Sequence, residues 1–261
     1  GNAMRMKNWL VGGLLFLQAA AVCAQAPAAP AQKPPAAPRA GVAGKKPLGT
    51  RPGFDRTLLH PALLKAKAPE VFDVKFVTTK GDFTLRVTRA WAPLGADRFY
   101  NLVKHHFYDG ASFFRVLDGF VAQFGVSPYP QVSAAWRDAN IKDDPVKHSN
   151  KRGTITYAIG GPDTRTTQVF INLADNTRLD SSGFSPFGQV TEGMLTVVKL
   201  YGGYGDGPPE GSGPNQAKME RLGKPYLDKG WPKLDSIKTA TIVAPDAAAA
   251  QAPAPATKKP Q

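Results

Sequence analysis

The chain has a single cysteine, Cys23, so no disulfide can form within it and any fold must rest on a hydrophobic core. Histidine is scarce too. His60, His105, His106 and His148 fall at spacings that suit neither a zinc site nor a nucleophile–base pair, which leaves metal-assisted and triad-type hydrolysis without their residues. The apolar run Trp9 to Leu17 is too short to cross a bilayer as a helix, so no membrane span is expected. Nor is a phosphate cradle present. The glycine-rich stretch Tyr201 to Pro214 has Pro208 where the dinucleotide spacing from Gly203 needs glycine, and no Gly-Lys-Ser/Thr follows, so it reads as an irregular loop.

Acidic residues are outnumbered, 20 against 33 lysines and arginines, for a formal charge of +13. A basic balance attracts anionic neighbours, but the cations are scattered and are not interleaved with stacking aromatics, so no specific nucleic-acid binding is expected. Gly1-Asn2-Ala3 precedes Met4 and reads as a remnant of expression. Arg5 and Lys7, the apolar run and the small residues up to Ala24 then follow the plan of a secretory signal. Cleavage near Ala24 would place the mature protein in the periplasm or outside the cell. Residues 25–68 are dominated by alanine, proline and basic residues, too little apolar surface to offset ordering entropy, and read as a disordered linker. Residues 245–261 repeat that composition and read as a disordered tail.

The folded domain is therefore placed at 69–244. Alternating strand-like segments run Val71 to Val77 and Phe83 to Val87 around Lys80-Gly81-Asp82, then Ser112 to Leu117, Phe120 to Val126, Thr154 to Ile159, Val169 to Leu173, Phe187 to Val190 and Ser236 to Val243. A helix is expected from Pro93, with Phe99, Leu102, Val103 and His106 on one face, and a second from Glu192 to Leu200. Many short strands with two helices imply an antiparallel sheet, and closing it into a barrel would remove its edges.

One segment carries chemistry: Phe113-Phe114-Arg115-Val116-Leu117-Asp118-Gly119-Phe120-Val121-Ala122-Gln123-Phe124-Gly125. A guanidinium keeps its charge, so on an apolar strand Arg115 must either pair with a carboxylate or face a wet groove. By residue type alone, the ion pair is the commoner case. Phe-Phe-Arg-Val-x-x-Gly-Phe-x-x-Gln-x-Gly resembles the signature of cyclophilin-type peptidyl-prolyl cis/trans isomerases. The resemblance continues through Arg98 to Leu102, Thr156-Tyr157-Ala158, Thr167 to Asn172 and Phe187 to Gly193, and it covers roughly Glu70 to Val243.

That resemblance implies an all-β-dominated fold, a closed eight-stranded antiparallel barrel capped by two helices. It also implies an isomerase that works without cofactor or metal on proline-containing polypeptides, here taken to be exported ones, as a monomer. Arg115 matches the catalytic arginine. Gln123 and Gln168 match polar groups of the substrate groove, Phe120, Phe170 and Leu179 match the proline pocket, and Tyr157 and Ala158 fall at neighbouring groove positions. Several positions depart from the family pattern. Arg178 stands where many members have tryptophan, Val169 replaces a phenylalanine, and Ile159 replaces an asparagine of the groove. Phe184 is the uncertain counterpart of a histidine, in a loop one residue longer here, and no role is assigned to it. A peptide-binding chaperone using the same groove is the alternative; retention of Arg115 with Gln123 favours the enzyme.

Overall fold

The computed structural model describes residues 53–243; the secretory-signal reading and the tail lie outside them. Strands β1 (Val71–Thr78) and β2 (Asp82–Thr88) form the expected hairpin. Phe72, Val74 and Phe76 alternate inward and meet Phe83, Leu85 and Val87, the period of two that one buried face demands. Phe76 and Phe83 are facing partners whose rings stack at 4.7 Å. On the other side of the same ladder, Asp73 faces Arg86, which donates from Nε and Nη2 at 2.8 and 2.7 Å.

Helix α1 (Pro93–Lys104) starts on a proline, whose missing N–H costs nothing in a first turn. It buries Ala96, Phe99, Leu102 and Val103 along one stripe. Strands β3 (Arg115–Leu117) and β4 (Val121–Phe124) follow, then helix α2 (Pro130–Trp136), strands β5 (Thr154–Tyr157), β6 (Val169–Asn172) and β7 (Pro186–Glu192), helices α3 (Met194–Val198), α4 (Gln216–Leu222) and α5 (Lys224–Gly230), and strand β8 (Ile237–Val243). All eight strands join one antiparallel sheet in the order β3-β4-β6-β5-β7-β2-β1-β8.

Closure of that sheet, expected above, is not reached. β3 and β8 are its end strands, and β3 has only three residues. The two ends approach through irregular backbone, with an isolated Ser112–Ser236 bridge and bonds from Gly110 N to Ile237 O and Ile237 N to Ala111 O, both 2.8 Å. The sheet is a strongly curved half-barrel wrapped about a core of Phe99, Tyr108, Phe113, Phe124 and Phe187. The two-helix expectation is also corrected, because α2, α4 and α5 are further helices among the described residues. Each is seven residues long, two turns of pattern, too short for apolar periodicity to declare itself.

The sequence-drawn linker also ends too late. Residues 53–68 carry 3-10 turns at Arg56–Leu59 and Pro61–Leu63. Leu58 is buried and its carbonyl accepts from Trp136 Nε1 at 2.8 Å, while Ala66 exchanges two hydrogen bonds with the Asn101 side chain. The alanine- and proline-rich average over 25–68 hid this segment, whose own Leu58 joins the core and whose Phe54, Leu59 and Leu64 pack against it.

Candidate active site

Arg115 faces Gln123 across β3 and β4, and Gln123 faces Phe170 across β4 and β6. Facing residues in antiparallel strands share a side of the sheet, so these three side chains stand in one row. Val116, Ala122, Phe124, Val169 and Ile171 alternate with them and belong to the core. A one-residue slip would therefore exchange the row for the core, and burial of one face fixes the register. Gly125 closes the row at φ 111°, where a Cβ would run into the carbonyl oxygen of Thr167; only glycine lets β4 pass its neighbour there. Phe170 is 5 % exposed and Gln123 7 %, whereas the Arg115 side chain is 22 % exposed. Ring and amide form the floor and the cation stands at the mouth.

Asn176 joins the segments that carry Phe120 and Leu179. Its buried side chain donates to Phe120 O at 2.9 Å and to Asn172 Oδ1 at 2.8 Å, and its carbonyl accepts from Leu179 N at 2.9 Å. The turn carrying Phe120 is thus tied to the 3-10 turn Thr177–Ser182 that carries Leu179. Phe184 N donates to Leu179 O at 3.3 Å, and its ring meets Phe170 edge-on at 5.7 Å. Phe184, left without a role by sequence, therefore packs beside Phe170. Two guanidinium groups lie over Phe120, Arg115 at 5.8 Å and Arg178 at 4.8 Å from the ring centre, within the range of a cation–π attraction.

A polar string crosses the mouth. Arg115 donates from Nη1 to Gln123 Oε1 at 3.2 Å, Gln123 from Nε2 to Gln168 Oε1 at 3.0 Å, and Gln168 from Nε2 to Gln216 Oε1 at 3.4 Å. At its other end the guanidinium meets Asp206 with two bonds, Nε to Oδ1 and Nη2 to Oδ2, both 2.9 Å. Burial alone would push the Asp206 carboxyl up; the hydrogen bond and charge of Arg115, with the Gly207 N–H, outweigh it and hold the group below the usual carboxylate range. Asp206 comes from the stretch Tyr201 to Pro214, which the sequence reading set aside as an irregular loop, and Gln216 opens α4. The available signal was the arginine itself, because a guanidinium among apolar neighbours calls for a carboxylate and Asp206 and Glu210 are the acidic residues of 201–214.

Tyr157 and Ala158 part company, the first turned into the core and the second half-buried beside Gln168. Tyr157 faces Val169 across β5 and β6 and so shares the core side of the sheet. It is fully buried, its ring 5.1 Å from Phe187, and burial pushes its hydroxyl well above the usual phenol range. Its side chain cannot touch a substrate in the groove. Ala158 is half-buried and donates its backbone N–H to Gln168 O at 3.0 Å, so its backbone borders the polar string.

The family model for cyclophilin type peptidyl-prolyl cis-trans isomerases matches residues 73–220. That span includes β3, β4, β6, Phe120, Leu179, Asp206 and Gln216. A peptidyl-prolyl cis-trans isomerase of Acinetobacter baylyi is 35% identical over 149 residues, 55% of this chain and 79% of that protein. Peptidyl-prolyl cis-trans isomerase A of Dickeya dadantii is 34% identical over 151 residues, 55% of this chain and 77% of that protein. Peptidyl-prolyl cis-trans isomerase B of Escherichia coli is 30% identical over 137 residues, 49% and 84% of the two chains. With the family signature running through the strands that build the row and the pocket, this chain belongs to the cyclophilin-type peptidyl-prolyl cis-trans isomerases.

Proposed function

We propose that the chain catalyses X-Pro rotation with Arg115 as the catalytic residue, in a groove formed by Phe120, Gln123, Gln168, Phe170, Leu179 and Phe184. Rotation about a peptide bond is opposed by resonance worth roughly 18–20 kcal/mol. The two isomers at proline differ little in energy but exchange over roughly tens to hundreds of seconds, so a catalyst must bind the twisted amide better than either planar form. Twisting returns the lone pair to the proline nitrogen. An N–H donor aimed at that nitrogen stabilises the twisted state and does little for the planar ones. No bond to the enzyme forms and no metal is called for.

The observation that carries the reading is the shared row. Arg115, Gln123 and Phe170 stand on one side of the sheet by register, and the Phe120 ring lies 5.8 Å from the guanidinium. A proline ring against Phe120, Phe170, Leu179 and Phe184 would bring its nitrogen beneath the cation. The amides of Gln123 and Gln168 each spend one N–H on the next residue of the string and keep a second for a substrate carbonyl. Exchange spectroscopy on one proline peptide tests the assignment: Arg115→Ala should lose most catalysed exchange with its circular dichroism unchanged, and near-normal exchange would refute it.

The clients are taken to be exported proteins whose folding waits on proline isomerisation. Arg5, Lys7 and the run Trp9 to Ala24 support this, being built as a secretory signal. Cell fractionation against a cytoplasmic marker checks it, with recovery in the cytoplasm as the contrary result.

A further inference from the structure

We propose that Asp206 is the positioning residue of the active-site arginine, and that the glycine- and proline-rich stretch around it is the scaffold that holds its carboxylate in place. The inference rests on the assignment of Arg115 as the catalytic residue. An arginine has a long side chain with many rotamers, and a donor that must meet a transient lone pair works best when its plane is set beforehand. A carboxylate taking Nε and Nη2 together fixes that plane, since two parallel bonds leave the fork no freedom to swing. The distances are 2.9 Å for both.

The carboxylate is itself held. Oδ1 also accepts from Gly207 N at 2.8 Å, and the Asp206 carbonyl accepts from Gly213 N at 2.8 Å. Residues 211 and 213 can only be glycine at this approach: a Cβ on Gly211 would collide with the Asp206 backbone, and one on Gly213 would come within 2.8 Å of its carbonyl oxygen. Outside this knot, Tyr201 N donates to Asp235 Oδ2 at 2.8 Å and Trp231 Nε1 to Ser212 O at 2.7 Å. The glycines that resemble a phosphate cradle in sequence thus wrap a carboxylate.

Donor arithmetic separates positioning from blockade. A guanidinium has five N–H donors; Asp206 occupies two and Gln123 one, which leaves one on each Nη. The edge given to Asp206 includes Nε, whereas Nη1 leads into the row with Gln123 and Phe170. A substrate amide can therefore be met without breaking the ion pair.

The test is a double-mutant cycle in the full chain, with kcat and KM measured separately on one proline peptide for wild type, Asp206→Ala, Asp206→Asn, Arg115→Ala and Arg115→Ala/Asp206→Ala. Asp206→Ala should lower kcat about tenfold, the order of coupling between contacting groups, with KM changed by less than about twofold. Asp206→Asn, which keeps one acceptor, should lose less. On the Arg115→Ala background, Asp206→Ala should cost nothing further. An unchanged or raised kcat in Asp206→Ala would overturn the proposal, the raised value marking a gate instead. An equal loss on both backgrounds, or unfolding of both Asp206 variants by circular dichroism, would make Asp206 a purely structural residue and overturn it too. If Arg115→Ala itself retains wild-type kcat, the assignment of Arg115 fails first and takes this inference with it.

Discussion

Strands β3, β4 and β6 and the stretch from Tyr201 to Gln216 both present side chains to Arg115, and they do it by different means. In the strands, position follows from register: Arg115, Gln123 and Phe170 stand together because their alternates Val116, Ala122, Phe124 and Ile171 must be buried. In the other region no periodic pattern operates. Asp206 is placed by bonds to Gly207 and Gly213 and by the room that missing Cβ atoms provide. In the strands a side chain's place is therefore set by backbone pairing and by burial on both faces of β4 and β6, while in the loop it depends on single atoms. On the reading proposed above, ground-state binding and the fold belong mainly to the strands and the residues around Phe120, and aim belongs to the loop.

Arg115→Ala should show the largest effect, a rate loss of about 10²–10³ on removing one positioned donor. Arg115→Lys should remain impaired, because an ammonium on a flexible stem cannot take the two-point hold of Asp206. Catalysed exchange by NMR measures both. Next, Phe120→Ala should weaken proline-peptide affinity, seen in a binding titration, and lower stability by only about 1 kcal/mol in urea unfolding, since the part-buried ring belongs to neither core cluster. Gly211→Ala sharpens the contrast between the regions. The new methyl collides with the Asp206 backbone, so kcat should fall about three- to tenfold, within the range of coupled contacts, with peptide affinity kept. If Gly211→Ala instead weakened binding as much as Phe120→Ala does, the division between aim and binding would be wrong.

Acid gives a smaller effect. The Asp206 pKa lies below the ordinary value of 3.8, so the pair contributes stability above that value and loses it as pH falls through the lower folded one. The stability difference between wild type and Asp206→Asn should be flat from pH 5 to 8 and shrink below 3.8, as thermal melts across pH would report. Smallest for catalysis is Arg178, whose exposed guanidinium covers Phe120 at 4.8 Å. Cyclosporin should inhibit weakly, and Arg178→Trp should bind it better by titration, because an indole offers packing and an N–H donor that a guanidinium presents differently.

Most of the strand-built region was legible in the sequence. Alternation located all eight strands to within a few residues, and the signature located Arg115, Phe120, Gln123, Gln168, Phe170 and Leu179 in one neighbourhood. What was not legible lies where local pattern carries no information. Tyr157 was misplaced because the signature gives proximity to a groove but not the side of the strand, which its pairing with the buried Val169 decides. Phe184 was passed over because an extra residue in its loop obscured the match; its bond to Leu179 and its ring contact with Phe170 locate it. On residue type, Arg115 invited two readings, an ion pair or a groove residue. The structure gives it both, an ion pair to Asp206 on one edge and the row of Gln123 and Phe170 on the other.

The most direct test of Arg115 as the catalytic residue measures exchange and binding on the same samples, wild type against Arg115→Ala, with one proline peptide titrated and its cis/trans exchange followed by NMR. The account predicts a dissociation constant changed by less than about threefold beside an exchange rate lowered by about 10²–10³. A parallel loss of both, or an exchange rate left near that of wild type in a folded Arg115→Ala protein, would contradict it.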